Sequence, residues 1–151
     1  MGMYTKVSFI IPIKHETPKE IKDILVALIE DDLEKNQNLP NHPFFETARY
    51  SYFAQCNSFY FTGTSNSSIQ YPYRHWRDYE LKDDIVLHID SDSKHYDNEI
   101  PLFLDWVKSY MEKPKSGFIG YTFYEEDERP TLWFLKDGKI VAEYNEKGDL
   151  G

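Results

Sequence analysis

The chain is poor in cysteine, arginine and long apolar runs, and each shortage excludes something. Cys56 is the single cysteine among 151 residues, so an internal disulfide and every multi-cysteine zinc motif are ruled out. Arginine occurs four times, at Arg49, Arg74, Arg77 and Arg129. Seventeen Lys and Arg stand against 26 Asp and Glu, for a formal charge of −9. That average field is wrong for a protein that grips a nucleic-acid backbone or an anionic membrane surface. No run of about 18 apolar residues supplies a membrane span, and no basic start followed by an apolar stretch supplies a secretory signal. The expectation is a cytoplasmic protein with no general nucleic-acid backbone binding and no membrane association.

What is present is a core. Leu, Ile, Val and Phe make up about a quarter of the chain, above the roughly 20% below which charged chains stay disordered. Three Trp, twelve Tyr and ten Phe make it rich in aromatics. The length fits one domain of the usual roughly 100–200 residues. We expect a single domain over 1–144 and a flexible polar tail over 145–151.

Val7, Phe9, Ile11 and Ile13 alternate with more polar neighbours, the period of a half-buried strand. Pro12 cannot donate to a ladder, which places that strand's end at a sheet edge or bulge. Thr17-Pro18-Lys19-Glu20 reads as a capping box with proline at the first helical position. Ile21, Ile24, Leu25, Leu28 and Ile29 then line one face of a helix. Residues 36–43 read as a loop, and Tyr50–Thr62 as an aromatic strand or strand pair. Ile85–Asp90 is a compact strand. Asp97 precedes a second amphipathic pattern through Ile100, Phe103, Leu104, Val107, Tyr110 and Met111, and reads as its cap. Phe118–Glu125 and Thr131–Leu135 are strands, and Asp137-Gly138 is a type I′ turn leading into Ile140–Tyr144. The economical packing is an α+β fold, a mostly antiparallel sheet with two helices on one face. Its order reads as a ferredoxin-like (split βαβ) arrangement with extra C-terminal hairpin strands.

Three segments carry candidate chemistry. Residues 88–99 hold two His, three Asp and one Glu. Asp90 and Asp92 begin like a calcium loop, but Lys94, His95 and Pro101 occupy positions where such a loop needs an oxygen ligand, a glycine and a glutamate. The alternative is a transition-metal site of His88, Asp90, Asp92 and His95, although their spacing matches no established zinc motif. Asp90 lies two residues from His88 on one strand face and could orient its imidazole as a general base. No nucleophile motif completes that arrangement, and the same residues serve equally as helix cap and turn. The second segment, Tyr71, Tyr73, Arg74, His75, Trp76 and Arg77, concentrates half of the arginines among aromatics. That is the composition of binding hot spots and of stacking platforms with phosphate contacts. The third, Glu125-Glu126-Asp127-Glu128, reads as a solvated hairpin turn able to attract a basic partner.

Tyr96-Asp97-Asn98-Glu99-Ile100 with Phe103-Leu104-Asp105-Trp106, and later Gly120-Tyr121, Tyr124-Glu125-Glu126 and Arg129-Pro130-Thr131, resemble segments of small uncharacterised bacterial and phage-genome proteins. The resemblance covers about a third of the chain. It implies a phage or mobile-element context and carries no activity and no site. The sequence therefore points to a non-enzymatic interaction protein that binds a macromolecular partner, most naturally a protein, through residues 71–77, without a cofactor. The alternatives are a small-molecule or nucleotide binder at the same segment, and a metal-assisted or acid–base hydrolase around residues 88–97.

Overall fold

The computed structural model describes residues 4–30, 33, 38–55, 67–70, 85–95, 97–114 and 116–144. In chain order the elements are β1 (Tyr4–Ile13), α1 (Lys19–Ile29), β2 (Ser68–Gln70), β3 (Ile85–Lys94), α2 (Glu99–Val107), β4 (Phe118–Tyr124), β5 (Thr131–Lys136) and β6 (Lys139–Glu143). Single 3-10 turns occupy Pro43–Glu46, Tyr50–Tyr52 and Lys108–Tyr110. The six strands form one sheet in the order β2-β3-β1-β4-β5-β6, with every pairing antiparallel. The fold class is α+β, as the sequence pattern indicates.

β1 forms where its alternation places it. Val7, Phe9, Ile11 and Ile13 are buried, and the strand is central, flanked by β3 and β4. It pairs with β3 through ten residues, from Tyr4 opposite Lys94 to Ile13 opposite Ile85. Its pairing with β4 stops at Phe9 opposite Gly120. Pro12 lies beyond that point, and its carbonyl accepts from the Glu112 amide on the β4 side of the strand. A strand residue directs its amide and carbonyl to the same neighbour, so the donor that Pro12 lacks faces the side β4 has already left. The strand is thus central for most of its length, and beyond β4 the segment Tyr110–Glu112 takes over that side, bonding the Pro12 carbonyl and needing no donor from it.

Both helices bury their apolar faces in one core. Ile24, Leu25 and Leu28 of α1 and Ile100, Phe103, Leu104, Trp106 and Val107 of α2 join the inward side chains of β1 and β3. Trp106 is therefore a core residue, and Trp133 is packed against the core with its indole N–H donating to Thr122 Oγ1 at 2.9 Å.

The helix ends differ from the sequence expectation. Pro18, not Thr17, precedes the first helical residue, and its carbonyl accepts from Ile21 and Lys22. Thr17 is buried and its hydroxyl caps nothing. Proline displaced the cap by supplying a fixed φ where the threonine would have stood. At α2 the preceding residue is Asn98, in the left-handed conformation (φ 59°) that asparagine tolerates. Asp97 does not cap the helix. Its carboxylate accepts from the Ala48 amide at 3.2 Å, while its own amide donates to the Glu99 carboxylate at 2.9 Å. The pattern that ran to Met111 breaks into a 3-10 turn after Val107. The expected strand over Tyr50–Thr62 is replaced at its start by the 3-10 turn Tyr50–Tyr52, and residues 56–62 lie outside the described residues. β3 runs four residues past Asp90, because Ser91 and Ser93 continue its inward face as small, fully buried polar side chains.

Gly120 and Gly138 both sit at positive φ, for different reasons. β4 carries a one-residue bulge between Phe118 and Gly120, which turns Ile119 into the core. The bulge presses Gly120 (φ +151°) against β1, where an added Cβ would sit 2.0 Å from the Ser8 carbonyl oxygen. Asp137 (φ 52°) and Gly138 (φ 74°) form the expected primed turn, and Gly138 has open space around it. No helix among the described residues is long and apolar enough to cross a membrane. The 145–151 tail lies outside the described residues. Gly120→Ala should destabilise the protein by roughly 3 kcal/mol or more, through backbone collision and strain. Gly138→Ala should cost only about 1–2 kcal/mol, the conformational penalty alone. Urea denaturation of the two variants measures the contrast, and equal losses would contradict the assigned role of Gly120.

Candidate functional site

The site depends on how residues 42–53 are held. Phe44 and Phe53 are fully buried. They pack on α2, with Phe44 5.3 Å and Phe53 4.5 Å from Phe103, while Phe45 lies 4.9 Å from Trp106. Such aromatic contacts are each worth about 0.5–1.5 kcal/mol beyond area burial. Hydrogen bonds fix the segment's ends. His42 accepts the Phe44 amide at Nδ1 and meets Asp105 Oδ2 from Nε2 at 2.9 Å. With the Nδ1 lone pair occupied, the proton sits on Nε2 and points at the carboxylate. His42 is thus a clamp between the 3-10 turn and α2 and has no lone pair left for base chemistry. Hydrogen bonds from Lys108 and from His42 hold the Asp105 carboxyl below its ordinary value. At the far end, Ser91 of β3 donates to the Phe53 carbonyl at 2.8 Å.

This anchoring sets Arg49 and Tyr52 beside the end of the β1–β3 ladder. Tyr4 and Lys94 are directly opposed there, with the Lys94 ammonium 5.6 Å from the centre of the Tyr4 ring. Tyr4, Arg49, Tyr52 and Lys94 line a polar cleft of about 390 Å³. Two cations and two phenols thus converge, and no carboxylate is among the described lining residues. His95 stands next to it in sequence, after the strand. Its Nε2 lies 3.1 Å from Ser93 Oγ, its ring is 5.5 Å from the Phe53 ring, and Nδ1 has no hydrogen-bond partner among the described residues. Burial, and secondarily the positive charge of Arg49, lower its pKa from 6.5 to about 4. The imidazole is therefore neutral at pH 7.

The sequence candidates fare unevenly. Residues 71–77 (Tyr71, Tyr73, Arg74, His75, Trp76, Arg77) lie outside the described residues, as does Cys56. His88, Asp90 and Asp92 share the sheet face turned away from the helices, and the Asp90 carboxylate is engaged by the Lys6 ammonium. Asp92 is buried directly opposite Lys6. His95 bonds instead to Ser93, on the core side of the strand. The proposed metal quartet is thus split, and no group of three metal-capable side chains occurs among the described residues. The residues missed by sequence reasoning are Tyr4, Arg49, Tyr52 and Lys94. One signal was available, since Arg49-Tyr50-Ser51-Tyr52 has the same arginine–tyrosine composition as 71–77.

A second surface is apolar. Ile10, Phe118 and Leu132 are exposed on the side of the sheet away from the helices, and Ile10, Pro12 and Phe118 border a shallow groove with Pro114 and Tyr121.

No protein-family model matches the chain, no curated protein matches its sequence, and no solved structure matches its fold.

The His95 environment makes a pH prediction. Its folded pKa lies below that of the free imidazole, so on acidification the unfolded chain takes up a proton that the folded chain refuses. The contribution is complete above about pH 6.5 and is lost as pH falls toward about 4. The loss should be on the order of 2–3 kcal/mol. Urea unfolding from pH 7.5 to 4.5 should show a smaller fall in stability for His95→Gln than for the wild type. Identical slopes would remove His95 as the cause.

Proposed function

We propose that this chain is a non-enzymatic interaction protein that binds a macromolecular partner through an Arg/aromatic surface, the cleft of Tyr4, Arg49, Tyr52 and Lys94. The observation that carries the reading is that cleft itself, two cations and two tyrosines in a chain of net charge −9. Arginine and tyrosine are the side chains that dominate binding hot spots. Tyrosine offers a large contact at low entropic cost, and arginine offers a planar fork of donors. A protein partner with an anionic group fits better than a nucleic-acid backbone, because backbone binders neutralise roughly 6–10 phosphates and this cleft supplies two cations.

A second reading, a small-molecule or nucleotide binder, is favoured by size. About 390 Å³ falls within the roughly 300–1,000 Å³ of ligand pockets. The hydrolase reading gains no support from the division of His88, Asp90, Asp92 and His95 between two sides of β3. The strand order β2-β3-β1-β4, with α1 between β1 and β2 and α2 between β3 and β4, supports reading the first four strands as a ferredoxin-like unit extended by the β5–β6 hairpin. A phage or mobile-element origin rests on the sequence resemblance alone, and a cytoplasmic location on composition.

The experiment is capture of a stoichiometric partner from the native host by tagged protein. Arg49→Ala combined with Lys94→Ala should reduce capture at least about tenfold, since charge-assisted contacts are each worth about 1.5–3 kcal/mol, while the thermal midpoint stays close to the wild type. Capture that survives this change but fails in Arg74→Ala with Trp76→Ala would move the surface to residues 71–77. Stoichiometric recovery of a small molecule and no protein would favour the second reading.

A further inference from the structure

We infer that two copies of this chain associate through β6, which pairs antiparallel with its own counterpart about a twofold axis at Val141 and joins two six-stranded sheets into one. Among the described residues β6 has β5 on one side and no strand on the other. Proteins guard such an edge with proline, a bulge, a central charge or a very short strand. The opposite edge, β2, is three residues long. β6 is longer, Lys139–Glu143, contains no proline or bulge, and keeps its two charges at its ends.

The hairpin sets which backbone groups the edge offers. The two-residue turn at Asp137-Gly138 makes Lys136 and Lys139 a hydrogen-bonded pair. Alternation then directs the amides and carbonyls of Val141 and Glu143 to β5, and those of Ile140 and Ala142 outward. A second β6 running antiparallel meets this pattern when Ile140 lies opposite the partner's Ala142. Both such pairs exchange hydrogen bonds, and Val141 meets its own counterpart in the closer, non-hydrogen-bonded pair between them.

Charge selects this register from its neighbours. With the axis at Val141, Lys139 of each copy stands directly opposite Glu143 of the other. Moving the axis by one residue keeps the hydrogen-bond phase but sets Lys139 or Glu143 against the partner's Val141. Parallel pairing in register sets like charges side by side. In the single chain Lys136 and Lys139 are opposed, an unfavourable pair. Glu143 compensates Lys136 at 3.2 Å, whereas Lys139 has no hydrogen bond or ion pair to any described residue. Glu143 is half exposed, and a carboxylate has room for more than one donor. The partner's Lys139 thus adds to the bond from Lys136 without displacing it. On the same face Val141 lies opposite Phe134, whose ring is 5.5 Å from that of Phe118. Contact with a second Val141 extends that apolar strip.

The test is sedimentation equilibrium of the full chain from micromolar to millimolar concentration. An interface confined to one strand pair is of the small, transient class, so the wild type should show a reversible monomer–dimer equilibrium within that range. Lys139→Glu should weaken the dimer about tenfold, because two cross-strand pairs pass from attraction to repulsion. It leaves the hairpin sound, since the new carboxylate faces Lys136. Glu143→Lys should weaken the dimer likewise. An equimolar mixture of the two variants should recover a heterodimer, and the chain carrying both exchanges should recover the homodimer. Ala142→Pro removes an outward amide and no bond to β5, so the chain should stay monomeric with a thermal midpoint close to the wild type. A monomer throughout the range would overturn the inference. So would a dimer indifferent to Lys139→Glu and Ala142→Pro, or an open series of oligomers, the product of contact between two different edges.

Discussion

Ten consecutive residue pairs join β1 to β3, and the remaining elements take their places from that ladder. On its inner face Val7, Phe9 and Ile11 meet Leu87, Ile89 and Ser91, all inaccessible to solvent. On its outer face Lys6 engages Asp90 and stands opposite the buried Asp92. A slip of one residue would turn Phe9 outward and drive the Lys6 ammonium into the core, so the register has one acceptable value. Fixing the register also fixes the ladder's ends. Tyr4 must face Lys94, and Ile13 must lie where Met111 can bridge to it. The cleft is therefore a by-product of how the central strands are aligned, completed by a loop packed on α2.

Much of this was legible in the sequence wherever one element's pattern decided its own fate. The alternation in β1, the apolar stripes of α1 and α2 and the Asp137-Gly138 turn all depend on neighbours within a few residues. What escaped depended on distant contacts. Phe44, Phe45 and Phe53 lie in a stretch without periodicity, because rings from α2 rather than a regular lattice hold them. Ser91 and Ser93 look like turn residues, yet they extend β3 because a small hydroxyl can be buried where it finds a partner at Phe53 or His95. Thr17 and Asp97 have the composition of caps, but adjacent Pro18 and left-handed Asn98 took the capping positions. The cleft was the least legible feature. Its residues come from the start of β1, a 3-10 turn and the end of β3, and nothing local links them.

The electrostatic layout gives the cleft its meaning. In a chain of net charge −9 most of the surface repels an anion. Arg49 and Lys94 come together at one cleft with Tyr4 and Tyr52, and the Glu125 amide donates to the Tyr4 carbonyl at the same strand end.

The ladder also sets a timetable. Tyr4 and its partner Lys94 are 90 residues apart in sequence, and Ile13 and Ile85 are 72 apart. At about 5–20 residues per second, the ribosome takes on the order of 5–20 s to make the stretch between them. Through that interval the apolar side of β1 is synthesised and has no sheet to join. The hairpin of β5 and β6 faces the opposite situation, since its partners emerge together. The strand made first thus waits longest, and in a growing chain Phe9, Ile11 and Ile13 form the segment on which chaperones would act before β3 arrives.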